Sequence, residues 1–193
     1  MKYAALFLLA VPAFSQIAGR PTPAAASMPP NAGARAILGA PKASRIPLST
    51  FVTLERGFDA KLAAMSNDRN GPVDLLGATR GVYLDGYGIV FTTEMGLIAT
   101  PTVNPFNSTI TEQQKTQVHT AKVTRLPILK KAMTEMVRNI ASSLSQVPDN
   151  QQIVVAVRLD YLTWENTTGL PGLVVAKADR RSAMSGAIDI EEQ

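Results

Sequence analysis

The sequence predicts an α+β domain: a four-stranded, mainly antiparallel sheet with helices on one face, in the order α-β-β-α-β-β-α. Three observations carry that reading. Apolar residues recur at helical spacing in two stretches, Phe51 to Met65 and Leu126 to Val147. The run Gly81-Val82-Tyr83-Leu84-Asp85-Gly86-Tyr87-Gly88-Ile89-Val90-Phe91 is dense in strand formers around a turn dipeptide. Residues from Ile153 to Leu162 alternate, and Leu173-Val174-Val175-Ala176 follows after a turn region.

The first residues stand apart from this domain. Lys2 gives a positive start, Ala4 to Val11 an apolar run, and Ala13 and Ser15 put small residues on both sides of Phe14. That is the pattern of a signal peptide over residues 1–15, with the mature protein beginning at Gln16. A membrane anchor needs about 20 apolar residues, and this run is far shorter. No later segment is apolar enough to span a bilayer, so the chain reads as not transmembrane. Residues 16–47, with Pro21, Pro23, Pro29, Pro30, Pro41 and Pro47 among Ala, Gly and Ser, read as a disordered basic linker. Residues 48–193 then form a single domain.

Within it, Ser49 or Thr50 is placed to cap a first helix whose face is Phe51, Leu54, Phe58, Leu62 and Met65. Gly57 in that helix costs about 1 kcal/mol, and Asn70-Gly71-Pro72 ends the segment. Asp85-Gly86 closes a hairpin, while Gly88 marks a bulge or a close backbone approach. The main helix is expected from Thr124 to Val147, which puts Pro127 in a first turn, where its missing N–H has no partner to lose. The polar stretch Glu112 to Val123 is either a separate helix or a mobile arm. Val155, Val157, Leu159 and Tyr161 face one side of the third strand, with Arg158 and Asp160 on the other. Asp179 caps a short last helix ending near Gly186.

Charge and composition exclude several functions. Lys and Arg number 19 against 15 Asp and Glu, a net charge of +4 that is unevenly spread. The first acid is Glu55, which leaves Arg20, Arg35, Lys42 and Arg45 unopposed in the linker. So small and dispersed a charge does not make the dense basic face that nucleic acid calls for. It allows only a weak attraction of the linker to an anionic surface. With no cysteine there is no disulfide, no thiol chemistry and no thiolate metal site. Asp68, Asn70, Gly71 and Asp74 look like part of a calcium loop but lack its closing glutamate. Gly86-Tyr87-Gly88 joins strands, with no helix after it to hold a phosphate. No cofactor and no metal site are expected.

His119 is the single histidine and the one side chain that titrates near neutrality without perturbation. A hydrolase with a spatially assembled Ser/His/acid or two-carboxylate site would therefore draw on His119, Asp85, Glu94, Asp160 and Glu165. No G-x-S-x-G marks a nucleophile. The basic residues Lys122, Arg125, Lys130 and Lys131 read as the solvated back of the main helix, or as a binding surface together with Trp164, the only tryptophan. Catalysis needs convergent titratable groups, and the chain is poor in them. The favoured expectation is a non-enzymatic exported domain, periplasmic or extracellular, that binds another macromolecule, a protein of the cell envelope. The small secreted hydrolase is the alternative.

The Gly81–Phe91 hairpin resembles that of uncharacterised exported α+β proteins from acidobacteria and related phyla. The similarity continues through the Leu126–Leu144 helix, the Ile153–Ala176 strands and the tail Asp179…Ser185-Gly186-Ala187-Ile188. The resemblance implies an α+β fold and an envelope location. That group has no assigned activity, so it supplies no site residues.

Overall fold

The computed structural model describes residues 46–67, 71–101 and 109–193. The expected signal peptide, nearly all of the linker, Asp68 and Asn70 lie outside the described residues. The α+β class holds. Helix α1 spans Leu48–Ala64 and runs into a 3-10 turn at Met65–Asn67; strands β1 (Asp74–Leu75), β2 (Arg80–Leu84) and β3 (Gly88–Gly96) follow. Helix α2 is Glu112–Ser143, then come β4 (Gln152–Leu159), β5 (Leu173–Asp179), α3 (Arg180–Ser185) and β6 (Asp189–Glu192).

The sheet corrects the expected four antiparallel strands: it has six, in the order β1-β3-β4-β5-β6, with β2 also paired to β3. The pairing of β3 with β4 is parallel, and the others are antiparallel. The physical reason lies in α2. A helix of 32 residues returns the chain along the sheet, so β4 starts beside the start of β3. The two extra strands carry little propensity of their own. β1 is only two residues long, and β6 is the acid-rich Asp189-Ile190-Glu191-Glu192. β6 forms because β5 offers it an edge and Ile190 packs against the core.

Two helix starts also differ from expectation. In α1 the N-cap is Pro47, with no side-chain cap; Ser49 and Thr50 lie inside the first turn. In α2 a capping box starts the helix at residue 112, because the Thr111 hydroxyl accepts from Gln114 N–H and the Gln114 side chain accepts from Thr111 N–H. The polar stretch and the apolar stretch are thus one helix, and Pro127 lies inside it. An interior proline costs about 3 kcal/mol. Both Pro127 and Val123, whose carbonyl loses its usual donor, are on the exposed side, where water can meet that carbonyl. Helix α2 stops at Ser143 rather than Val147, yet Leu144 and Val147 remain buried. The expected last helix is present: Asp179 caps it through Ser182, whose N–H and hydroxyl hold the Asp179 carboxyl below its usual range, and Gly186 ends it in the left-handed conformation.

The core forms where Phe58 and Leu62 of α1 and Leu129, Met133, Val137 and Ile140 of α2 meet one face of the sheet, at Ile89, Phe91, Ile153, Val155, Val157, Val174 and Ala176. Among the described residues, the other face carries no helix. The hairpin loop is three residues, Asp85 to Tyr87, since Leu84 pairs with Gly88, and Gly86 takes the positive φ the turn requires. Gly88 has φ +138°, and a Cβ there would sit 1.9 Å from the carbonyl oxygen of Gln152. This is the close backbone approach that the sequence suggests. Gly88→Ala should therefore cost at least about 3 kcal/mol, because strain and a backbone clash add. A urea midpoint equal to wild type would show that β3 and β4 do not meet so closely at this residue.

Candidate functional site

The carboxylates considered for catalysis do not converge. Asp85 is exposed at the hairpin tip. Glu94 lies on the helix-free face of β3, 3.5 Å from Arg158 Nε. Asp160 follows β4 with its side chain exposed and its N–H donating to the Met95 carbonyl. The structure instead brings His119, Lys122, Trp164 and Glu165 together, where the first half of α2 meets the β4–β5 loop, residues 160–172.

That loop is shaped by its own hydrogen bonds. Glu165 N–H donates to the Leu162 carbonyl at 3.0 Å, Leu170 N–H to Thr167 at 2.9 Å, and the Asn166 side chain accepts from Thr168 N–H at 3.0 Å. The Tyr161 hydroxyl donates to the Pro171 carbonyl at 2.7 Å, closing the loop at its base. So held, the loop presents Glu165 to Lys122, and the two form an ion pair whose side chains are 1% and 2% exposed. Lys122 Nζ also sits 4.7 Å from the centroid of the Tyr161 ring. Burial, with the Glu165 charge second, pushes the Tyr161 phenol up to about 12. Such a pair gives little net stability, since both charges lose their water.

Among the described residues, two polar atoms beside the pair have no partner. Glu165 Oε1 and Trp164 Nε1 are buried without a hydrogen bond. His119 Nδ1 lies 2.9 Å from the Asn166 carbonyl oxygen. A carbonyl can only accept, so Nδ1 carries the hydrogen, and in the neutral ring Nε2 is left as an acceptor. Glu112, Lys115, Thr116, His119, Trp164, Glu165 and Asn166 line a cleft of about 330 Å³.

No family model, curated protein or solved structure matches this chain. The chemistry of the cleft has to be judged on its own geometry. Among the described residues that line it, His119 is the only base with a free nitrogen. The one hydroxyl beside it, on Thr116, donates to the Glu112 carbonyl at 2.9 Å. The Glu165 carboxylate is engaged by Lys122. Among the described residues of the cleft, a nucleophile, base and acid are therefore not linked as in a catalytic triad. Among the described residues no group of His, Asp and Glu is placed to hold a metal ion.

The basic residues of α2 do not form one surface. Lys122 and Arg125 are buried rather than on a solvated helix back. Arg125 donates to the Leu97 carbonyl at 2.9 Å and to Gly71 at 2.6 Å, tying α2 to two loops. Lys130 pairs with Glu192 of β6, and Lys131 is exposed beside the α1–α2 groove. Reading the sequence missed Asn166, Thr116 and Tyr161 as parts of the site. A signal for Lys122 and Arg125 does exist. Val118, Lys122, Arg125, Leu126 and Leu129 continue the buried stripe at spacings of three and four.

The helix-free face of the sheet is a second feature. Val82, Val90 and Val154 stand in register across β2, β3 and β4. Ala156 and Val175 form the core of the next row. Val82 and Leu84, with Tyr87 beside them, are exposed by 50%, 45% and 47%. Around them lie Arg80, the Glu94–Arg158 pair and the Lys177–Glu191 pair; Glu191 holds the Lys177 ammonium above its usual range. No helix among the described residues is long and apolar enough to cross a membrane.

Proposed function

We propose that this is an exported, non-enzymatic binding domain that engages another protein of the cell envelope through the helix-free face of its sheet. The observation that carries the proposal is the exposed apolar group Val82, Leu84 and Tyr87, continued by half-buried Val90 and rimmed by charges of both signs. An apolar centre with an aromatic group and a polar rim is the composition of a protein contact surface. The scattered positions of Asp85, Glu94 and Asp160 weigh against the hydrolase.

The test starts from a protein that co-purifies with the wild-type domain from its native envelope and binds it again when both are pure. Val82→Lys should weaken that binding at least about tenfold, as loss of a central contact does, with the melting temperature unchanged. Ser142→Lys, the same charge on the exposed side of α2, should leave the affinity as it was. Equal affinity for the wild type and Val82→Lys would reject the sheet face as the contact.

A further inference from the structure

We infer that the cleft between α2 and the 160–172 loop binds a neutral, polyhydroxylated small molecule, a saccharide. It lies on the helix-bearing side of the sheet, apart from the face proposed for protein binding. The argument rests on what the cleft residues have left to offer once their mutual contacts are counted.

Charge is not left over. Lys115 Nζ is 2.7 Å from Glu112 Oε1, and Lys122 pairs with Glu165. Each carboxylate already has its lysine, so neither a metal ion nor an anion gains an unopposed partner. What remains is one buried acceptor, Glu165 Oε1, one buried donor, Trp164 Nε1, and the second nitrogen of His119. Buried polar groups without partners are rare and point to a function.

A hydroxyl group both donates and accepts, so adjacent hydroxyls can satisfy a carboxylate oxygen and an indole N–H together. A sugar ring carries such pairs along its edge and C–H groups on its face, and the indole of Trp164 offers that face an apolar surface. At about 330 Å³ the cleft is at the small end of ligand sites, which suits a single sugar unit rather than a polymer. Both unpartnered atoms belong to residues that line the cleft, and both are buried. For a ligand to reach them, the Trp164–Asn166 turn has to shift outward.

Trp164 is the only tryptophan, so its fluorescence reports on this cleft alone. The mature protein would be titrated with glucose, galactose and N-acetylglucosamine, and in parallel with calcium chloride and sodium phosphate. At least one sugar should shift the emission saturably, and neither salt should. His119→Ala, a half-exposed position whose loss the fold should tolerate, should weaken the response about tenfold, the scale of one hydrogen bond to a polar ligand. Trp164→Phe, followed by calorimetry, should weaken binding similarly, since it removes the N–H donor together with part of the apolar ring surface. No shift with any sugar, a shift with the salts instead, or wild-type binding by both variants would each overturn the inference. The readout is independent of the protein partner, so failure here leaves the sheet-face proposal standing, and the reverse also holds.

Discussion

Replacing Ile140 with aspartate is expected to abolish cooperative unfolding, with a loss on the order of 4 kcal/mol or more. Ile140 is fully buried on α2, within the cluster that includes Val137, Val155 and Val157. A carboxylate there has no cation within the cluster and no water, so either the charge is buried unpaired or the carboxyl stays protonated at neutral pH. Ile140→Val keeps the site apolar and should cost only about 0.5–1.5 kcal/mol. Circular dichroism through a thermal melt separates the two variants. If the aspartate chain melts like wild type, Ile140 is not in the core and the phase of α2 is wrong.

The phase of that helix was legible because burial imposes a period. Leu129, Met133, Ile140 and Leu144, all fully buried, repeat at spacings that only one helical face can hold. The hairpin was legible for the same kind of reason, since its turn chemistry and its strand propensities agree. The sheet as a whole was less so. Parallel pairing of β3 with β4 depends on where the long helix delivers the chain, and β6 is held by an edge rather than by its own residues. Neither leaves a mark in local composition.

The candidate site was half legible. The sequence marks His119, Glu165, Lys122 and Trp164, each as a separate candidate for a different role. Their meeting depends on contacts 43 residues apart along the chain for Lys122 and Glu165, and 47 for His119 and Asn166. Charge counting placed Lys122 and Arg125 in solvent because lysine and arginine are rarely buried without a partner. The partners are distant in sequence: Glu165 for Lys122, and the Leu97 and Gly71 carbonyls for Arg125. Asp85, Glu94 and Asp160 lie apart because strand and turn geometry, not shared chemistry, fixes each of them.

The buried pair itself makes the second large prediction. Lys122→Met removes the cation and leaves the Glu165 carboxylate, 1% exposed, with no counter-charge. The expected loss is about 3–5 kcal/mol, most of it the cost of one uncompensated charge in the interior. Glu165→Met should cost less, because Lys122 keeps the Tyr161 ring and a long flexible stem with which to reach water. The double variant removes both charges at once, and its stability should return to within about 1 kcal/mol of wild type or exceed it. Urea unfolding of the four chains closes a double-mutant cycle whose coupling energy isolates the pair. Additive losses would mean that lysine and glutamate do not meet in the folded domain. A stable double variant gives the pair a different meaning, since two methionines would then hold the loop against α2 as well as the charges do. What the methionines cannot supply is the Glu165 carboxylate oxygen, so the double variant should fold normally and lose the fluorescence response to sugars. A double variant that keeps that response would show that Glu165 serves only to anchor the loop.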